Sequence, residues 1–348
     1  MRILVTGLGT VWGSRLAQRL ERQPGVELVV GVDTHEPRLP LEKTEFVRAD
    51  SSYAILQRIL AATRVDTIVH THLITDSSDV RSRALHETNV IGTTNLLAAA
   101  GATGSTVRKL VVKGSTLEYG SNGHDPYWWR EDMARGRPPK TRVERSLVEA
   151  ADIVRDFADD NPHVLVTHLR VADVLGEEIE SLFSHLLRLP AIPEIFGFDP
   201  RLQFVHEDDA TGALVFATLQ TVPGTFNVAG DGVVPWSEVA RMLKKRRVPL
   251  PPLFTGWAAQ PARVLRLANL TPELLSLLRF GRAVDTTRFQ HAGFRYRHTT
   301  AGTVDVFARG MRVRDIARAP EYRYERDLET FFRHSPAVVR DDSSVRSD

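Results

Sequence analysis

The opening of the chain is the feature that most constrains its fold. Ile3 to Val5 are apolar, glycines follow at positions 7, 9 and 13, and apolar residues then recur at helical spacing as far as Leu20. A second apolar stretch at 27–33 follows Pro24-Gly25. This order predicts a βαβ unit in which the glycines form a tight turn and the helix directs its positive N-terminus at a phosphate group.

Strands and helices alternate along the following residues as well. The predicted strands are 66–70, 109–113 and 163–171, and the predicted helices are 89–100 and one that starts at Arg142. Strands that are apolar along their whole length, separated by amphipathic helices, indicate a parallel sheet covered on both faces. We therefore predict an α/β fold, a Rossmann-type doubly wound parallel sheet with a smaller C-terminal α/β substrate lobe.

We expect two lobes and a tail. Residues 1–176 form the dinucleotide-binding domain and 177–334 the substrate lobe, with 201–229 returning to the main sheet. Residues 335–348 are charged and Ser-rich, which predicts a disordered tail. The unusually apolar stretch 248–280 is interpreted as lobe core or the wall of a substrate cavity, and the alternative is a membrane-surface patch.

Composition and charge exclude several classes of function. The chain contains no cysteine, which excludes disulfides, thiolate nucleophiles and Cys-based zinc sites. A formal net charge of +2 is too small to indicate nucleic acid as a partner. No apolar run approaches the roughly 20 residues that cross a bilayer, and the first residues lack the layout of a signal peptide. We expect a cytoplasmic protein without a transmembrane segment.

The glycine turn and the end of the second strand together predict a nicotinamide dinucleotide site. The turn residues expected around the diphosphate are Gly7, Gly9, Thr10, Val11, Trp12 and Gly13. Asp33 closes the second strand, where a carboxylate can accept hydrogen bonds from the hydroxyls of the adenosine ribose. Because Asp33 would repel a 2′-phosphate, NAD is favoured over NADP. The alternative is that Asp33 only caps a turn.

Further segments, in the same order along the chain, carry a resemblance to a known family. They are 46–50 (Phe-Val-Arg-Ala-Asp), 66–70 (Asp-Thr-Ile-Val-His), 89–93 (Asn-Val-Ile-Gly-Thr), 115–120 (Ser-Thr-Leu-Glu-Tyr-Gly) and 204–209 (Phe-Val-His-Glu-Asp-Asp). Together with the glycine turn, they resemble the extended short-chain dehydrogenase/reductase family, in its NAD-dependent epimerase/dehydratase group.

The resemblance implies roles for individual residues. Beyond the turn and Asp33, the residues implied to contact the cofactor are Asp50, Ser51, His70, Thr71, Asn89, Arg145 and Val171. Ser115 matches the serine that hydrogen-bonds a substrate oxygen, although a hydroxyl that only caps the strand-end turn is an alternative. The helices at 89–100 and 141–158 match those that form a four-helix bundle between family subunits, which implies a homodimer.

The reaction centre departs from the family pattern. Family enzymes carry Tyr and Lys four residues apart on one helix, where the cation lowers the pKa of the phenol and the phenolate acts as a base. Thr141 and Arg145 stand at those positions, and Arg145 could still hold the nicotinamide ribose. The candidate catalytic residues of this atypical member are thus Ser115, Thr141 and Arg145. Thr10 also replaces a family glycine, which predicts weaker cofactor binding or a shifted loop.

The substrate side departs as well. The resemblance places Asp173 and Leu202 where nucleotide-sugar enzymes have Asn and Arg, and both are poor partners for a diphosphate. The alternative is a one-residue shift, which would place Arg201 at the second position. Arg282 is a candidate for one remaining phosphate contact. His70 and His72 would face one side of a strand end, but no third ligand has suitable spacing, so no metal site is expected.

Three functional hypotheses stay open. The first is an NAD-dependent enzyme of the epimerase or dehydratase type that acts on a hydroxyl-bearing small molecule, a nucleotide sugar or another, by transient hydride transfer. The second is an NAD-binding regulatory or scaffold protein that has lost the catalytic pair. The third is a membrane-surface lipid or sterol dehydrogenase that uses the apolar stretch 248–280.

Overall fold

A computed structural model describes residues 1–75, 82–251, 270–318 and 329–331. Its strands are β1 (Arg2–Thr6), β2 (Leu28–Asp33), β3 (Thr44–Arg48), β4 (Thr67–His70), β5 (Lys109–Ser115), β6 (Leu165–Val171), β7 (Asp173–Leu175), β8 (Ala191–Ile195), β9 (Arg201–Leu202), β10 (Phe204–His206), β11 (Gly224–Val228), β12 (Val234–Pro235) and β13 (Arg246–Leu250). Its α-helices are α1 (Val11–Leu20), α2 (Tyr53–Thr63), α3 (Ser82–His86), α4 (Thr93–Ala100), α5 (Arg142–Asp160), α6 (Leu182–Arg188), α7 (Glu207–Leu219), α8 (Trp236–Met242), α9 (Pro272–Phe280), α10 (Thr287–His291) and α11 (Thr300–Arg318).

Seven parallel strands form the central sheet, in the order β11-β6-β5-β4-β1-β2-β3. The strand order reverses at β1, which pairs with β2 on one side and with β4 on the other. In a doubly wound sheet, ligands bind outside the carboxyl ends of the strands at such a reversal. The predicted Rossmann-type α/β fold is confirmed, and the topology places a ligand crevice beside the end of β1.

Helices cover both faces of the sheet, which explains why its strands are apolar along their whole length. Val111 and Leu169 belong to the core that contains α1 and α7, whereas Leu110 and Val166 belong to the core that contains α2, α4 and α5. Successive strand residues point to opposite faces, so each strand supplies side chains to both cores in turn.

The predicted element boundaries differ from the observed ones by a few residues. The helix expected at 89–100 is continuous with a π-helical turn, Glu87–Gly92, before α4 begins. The strand expected at 163–171 begins only at Leu165, because the Val164 N–H donates to the Asn161 carbonyl and closes a turn there. A 3₁₀ turn, Thr116–Tyr119, follows β5 directly.

The second lobe has a core of its own. Its largest buried side chains include Trp236, Phe183 and Phe204, and the Trp236 indole N–H donates to the Pro193 carbonyl oxygen at 2.8 Å. Helix α9 buries leucines of the apolar stretch 248–280 in this core, namely Leu274, Leu277 and Leu278. Residues 252–269 of that stretch, and the predicted tail at 335–348, lie outside the described residues. Within the described ranges, no helix combines the length and hydropathy needed to cross a bilayer.

Strands of residues 201–229 connect the two lobes. β11 joins the main sheet beside β6, whereas β9 and β10 pair with β12 and β7. Asn227 on β11 is fully buried and connects three segments: its Oδ1 accepts from the Tyr119 hydroxyl at 2.8 Å, and its Nδ2 donates to the carbonyl oxygens of Trp129 and Asp285. This side chain therefore fixes the 120–140 loop to both the sheet and the lobe.

Replacing Asn227 with leucine tests this connection. The change removes three hydrogen bonds of a fully buried side chain, while the Trp129 carbonyl keeps the Asp285 N–H and the Tyr119 hydroxyl keeps Arg170. We expect Asn227→Leu to lower the free energy of unfolding by about 3 kcal/mol. Thr225→Val, at a half-buried position on the same strand, is the control and should change it by less than about 0.5 kcal/mol. Equal denaturant midpoints for the two variants would show that Asn227 is not a structural tie.

Candidate cofactor and active site

The turn between β1 and α1 depends on residues without a side chain. Gly7 has a φ of +78°, and a Cβ at Gly13 would overlap the Gly7 carbonyl oxygen and lie 2.8 Å from the Leu8 Cα. Thr10 stands where the family has Gly, and its side chain is turned into the loop. Its Oγ1 donates to the Gly7 carbonyl oxygen at 2.7 Å and accepts from the Gly13 N–H at 3.0 Å as the N-cap of α1.

This arrangement leaves backbone donors available at the start of α1. The Gly13 N–H binds Thr10 and the Ser14 N–H donates to the Thr10 carbonyl, but the N–H groups of Val11 and Trp12 have no acceptor among the described residues. Unpaired N–H groups at a helix N-terminus, beside a glycine turn, fit the diphosphate of a dinucleotide.

Asp33 is buried at the end of β2 and holds the turn. Its Oδ2 accepts from the Gly9 N–H at 3.0 Å, and its Oδ1 accepts from the His35 N–H at 2.9 Å. An ionised carboxylate has about four lone-pair sites, so two backbone bonds leave capacity for ribose hydroxyls. The turn-cap alternative and the ribose-binding prediction are therefore compatible.

A small cleft begins at Asp33. It is lined by the ends of β1, β2 and β4 and by the π-helical turn, and its lining includes Thr6, Asp33, Ser51, His70, His72 and Gly92. The position of the cleft suits an adenosine group, because it lies beside the strand-order reversal.

His70 forms part of the wall of this cleft. Its Nδ1 lies 2.7 Å from the Thr6 hydroxyl and its Nε2 lies 3.0 Å from the Thr93 hydroxyl, so both ring nitrogens are occupied. Burial, together with the charges of His72 and Lys113, lowers the pKa of His70 to about 3. The ring is thus neutral at pH 7 and connects β1 to α4. Among the described residues, no group of three or more His, Asp or Glu side chains could hold a metal ion.

The other predicted cofactor residues surround the same cleft or support it. Asp50 is exposed and its Oδ1 accepts from the Ser52 N–H at the start of α2. The Thr71 hydroxyl donates to the Thr6 carbonyl oxygen. Asn89 is fully buried and binds both backbone groups of Ile74, as well as the Ser146 hydroxyl. Asn89 therefore positions the segment after β4, and its contact with a cofactor stays a prediction, as does that of Val171 at the end of β6.

The three candidate catalytic residues lie at the starts of two helical segments. The Ser115 Oγ accepts from the Leu117 N–H at 3.2 Å as the N-cap of the 3₁₀ turn. The Thr141 Oγ1 accepts from the Glu144 N–H at 3.2 Å as the N-cap of α5. Arg145 is exposed one turn later; its N–H donates to the Thr141 carbonyl oxygen, and its guanidinium makes no ion pair or hydrogen bond within the described residues. These positions supply two hydroxyls and one unengaged guanidinium, but no phenol.

A buried cluster behind Ser115 was not foreseen from the sequence. Glu118 accepts from the Arg170 Nε at 2.8 Å and lies 3.1 Å from the His168 Nε2. Although burial opposes it, His168 and Arg170 hold the pKa of Glu118 below its ordinary value. The Tyr119 hydroxyl accepts from Arg170 and donates to Asn227, so this phenol belongs to the cluster. Tyr119 is therefore a core residue and not a replacement proton shuttle.

Glu144 is not a replacement base either. It is buried, and its Oε2 lies 3.0 Å from the Arg135 Nη2 and accepts from the Lys140 N–H. Tyr127 and His124, in the loop before α5, are exposed.

The substrate side contains an internal ion pair. The Arg282 Nη2 lies 3.3 Å from the Asp173 Oδ2, and its Nε donates to the Thr116 hydroxyl at 3.1 Å. Burial raises the pKa of Asp173 above its ordinary value in spite of Arg282. Leu202 is buried, and the neighbouring Arg201 guanidinium lies 5.0 Å from the Tyr127 ring. The cation that was expected to contact a phosphate is thus already paired.

The fold and the cleft define a Rossmann-type protein with a candidate dinucleotide site at the glycine turn. The model of the NAD dependent epimerase/dehydratase family matches residues 3–229. An uncharacterised protein of Mycobacterium tuberculosis (strain ATCC 25618 / H37Rv) is 35% identical over 319 residues, which cover 88% of this chain and 83% of the relative. The chain belongs to the NAD-dependent epimerase/dehydratase family, an extended short-chain dehydrogenase/reductase group.

Solved structures share this fold. UDP-glucuronic acid 4-epimerase from Bacillus cereus, in complex with NAD, matches with a TM-score of 0.68 and 17% identity over 90% of this chain and 99% of that one. The dTDP-glucose 4,6-dehydratase DesIV from Streptomyces venezuelae, with NAD and TYD bound, matches with a TM-score of 0.68 and 19% identity over 90% and 97% of the two chains. At these identities the likeness shows the fold alone.

Substitution at Gly13 tests the turn. A Cβ at this position meets backbone atoms that cannot rotate away, so Gly13→Ala must displace either the turn or α1. We expect it to weaken NADH binding at least about tenfold, the equivalent of a lost charge-assisted hydrogen bond, as measured by calorimetry. The matched control is Gly136→Ala in the 120–140 loop, where a Cβ meets nothing within 4 Å. Unchanged NADH affinity in the Gly13 variant would contradict a diphosphate site at this turn.

Proposed function

We propose that this chain binds NAD and acts as an oxidoreductase of the epimerase or dehydratase type on a hydroxyl-bearing small molecule. The observation that supports cofactor binding is the glycine turn with two N–H groups at the start of α1 that have no acceptor among the described residues, next to the Asp33 carboxylate and the cleft that begins there. When bound, NAD supplies a nicotinamide that accepts a hydride from the substrate.

We expect a preference for NAD over NADP. The buried Asp33 carboxylate can accept from ribose hydroxyls but would repel a 2′-phosphate. Isothermal titration should give an affinity for NADH at least about tenfold higher than for NADPH, which corresponds to about 1.4 kcal/mol. Equal affinities would contradict the role of Asp33, and no binding of either dinucleotide at millimolar concentration would contradict the proposed function as a whole.

Ser115, Thr141 and Arg145 are proposed to surround the reacting part of the substrate. The Ser115 hydroxyl accepts one N–H bond from its own turn and keeps its proton free to donate to a substrate oxygen. Arg145 has no other described partner, so its guanidinium can hold a ribose or a substrate oxygen. Thr141 is too weak an acid to replace the phenol by itself, and the proton of the substrate must leave by another route.

The substrate is proposed to lack a diphosphate. Arg282 is buried, contacts the Thr116 hydroxyl and is paired with Asp173, so a phosphate at this position would have to compete with a fixed carboxylate. A second carboxylate-sized anion near Asp173 would also be repelled. These contacts favour a substrate with a hydroxyl group and no phosphate charge at the position of Arg282.

Single-turnover reduction of bound NAD tests the reaction. Nicotinamide absorbance should rise with a sterol or a hydroxyacyl compound and not with a sugar nucleotide, and Ser115→Ala should slow the rise by about 10²-fold or more, as expected for loss of a positioned hydrogen-bonding group. Reduction by sugar nucleotides alone would refute the substrate class. Silence with all three classes would refute the enzyme.

A second candidate function is an NAD-dependent regulatory or scaffold protein. The specific observation in its favour is that the Thr141 hydroxyl, at the position of the family phenol, accepts the Glu144 N–H as a helix cap. The double variant Thr141→Tyr/Arg145→Lys separates the candidates. It should gain turnover if the chain is a binding protein that has lost the catalytic pair. It should gain none if the chain is an enzyme whose site is remodelled for another reaction. A homodimer through the α4 and α5 face stays a prediction.

A further inference from the structure

Two largely buried lysines lie on the same face of β5, and among the described residues only one of them has side-chain hydrogen-bond partners. The Lys109 Nζ donates to the carbonyl oxygens of Thr218 and Gln220 at the end of α7. Lys113, four residues further along the strand, is only 3% exposed. Across the described ranges, its ammonium makes no ion pair and no hydrogen bond, its Nζ keeps some contact with solvent, and it lies beside an aromatic ring.

That ring places the ammonium at the glycine turn. The Lys113 Nζ lies 4.7 Å from the ring centroid of Trp12, in the first turn of α1, where the Val11 and Trp12 N–H groups are unpaired. The charge of Lys113 also acts on His70, which lines the cleft. Lys113 therefore lies beside the side chain of the first turn of α1, on the strand next to β4, although it is not among the residues that line the cleft.

A largely buried charge without a counter-ion is costly, and the solvent contact of its Nζ leaves it accessible to a ligand of opposite charge. A nicotinamide dinucleotide carries an anionic diphosphate, whereas its oxidised nicotinamide is a cation that would be repelled. We propose that Lys113 is a cofactor-binding residue whose ammonium neutralises the diphosphate, together with the Val11 and Trp12 N–H groups. This inference rests on the proposed NAD binding and adds the residue that supplies the positive charge.

The protonation state of Lys113 should make the affinity for an anionic ligand depend on pH. Burial lowers the pKa of Lys113 to about 8, so the free site is mostly charged at pH 7 and mostly neutral at pH 9.5. Its ionisable neighbour across the sheet, His70, is already neutral in this window, and the residues that face Lys113 from α1 and β6 are Trp12 and Leu169, which do not titrate. The acidic residues of α7, on the same side of the sheet, are all in its first turn, and none of them shifts the pKa of Lys113 (Glu207, Asp208 and Asp209). Lys109 has a pKa of about 8 too, but lies at the far end of β5.

Affinities measured by calorimetry test the inference on the full chain. At pH 7, Lys113→Met should weaken the binding of ADP-ribose, NAD and NADH alike, about 10-fold to 100-fold, which is the effect of a charged hydrogen bond. The affinity for adenosine, which lacks the diphosphate, should not change. The matched control is Lys43→Met, which removes an exposed lysine on the loop before β3 and should leave all four affinities unchanged.

The pH dependence separates a charge effect from a packing effect. Between pH 7 and 9.5 the wild-type affinity for ADP-ribose should fall as Lys113 loses its proton. Lys113→Met and Lys113→Arg should both be flat in this range, because methionine has no charge and arginine keeps its own. The melting temperature of unliganded Lys113→Met should be equal to or above that of the wild type, since a buried unpaired charge has been removed.

Each result has one interpretation. If the wild type binds ADP-ribose and Lys113→Met binds it equally well, the inference is overturned while the proposed function stands. If Lys113→Met changes the affinities for NAD and NADH in opposite directions, the ammonium faces the nicotinamide and the inference is again wrong. If the wild type binds none of the dinucleotides, the proposed function fails first.

Discussion

The hydrogen bond from the Gly9 N–H to the Asp33 carboxylate joins the glycine turn to the end of β2, and the shape of the cofactor cleft depends on it. A Cβ at position 9 would lie 2.8 Å from the His35 carbonyl oxygen and 3.0 Å from the Asp33 Cγ, so only glycine allows this approach. One buried carboxylate thereby fixes the position of α1, whose N-terminus carries the unpaired N–H groups. The same carboxylate retains lone pairs for a ribose, so structure and recognition share one side chain.

The buried lysines of β5 and the buried Glu118 carboxylate lie on opposite faces of the strand. Lys109 and Lys113 face α1 and α7, whereas Gly114 leaves room on the other side for Glu118 and His168, which a Cβ there would overlap. Glu118 is paired with Arg170 and lies beside His168 across the strand. The sheet thus separates Lys113 from Glu118.

The parts of the site that follow from local pattern could be predicted from the sequence, and the parts that depend on distant contacts could not. The glycine turn, Asp33 and the strand order are encoded by short-range spacing. The Asp173–Arg282 ion pair joins residues 109 positions apart, which no spacing rule reveals. Lys113 could have been noticed, because it is a charged residue in an apolar strand with the same parity as Ser115. Only the three-dimensional structure shows that its ammonium has no hydrogen-bond partner among the described residues.

The residues that depart from the family pattern fall in two parts of the proposed site, a cofactor half and a reacting half. In the cofactor half, Thr10 replaces glycine, but its hydroxyl stabilises the same turn. In the proposed reacting half, the groups at the end of β5 and the start of α5 are the hydroxyls of Ser115 and Thr141 and the cation of Arg145. Such a set can stabilise negative charge that develops on a substrate oxygen, but none of its members accepts a proton at neutral pH. A proton acceptor for the proposed reaction therefore has to come from the substrate or from water.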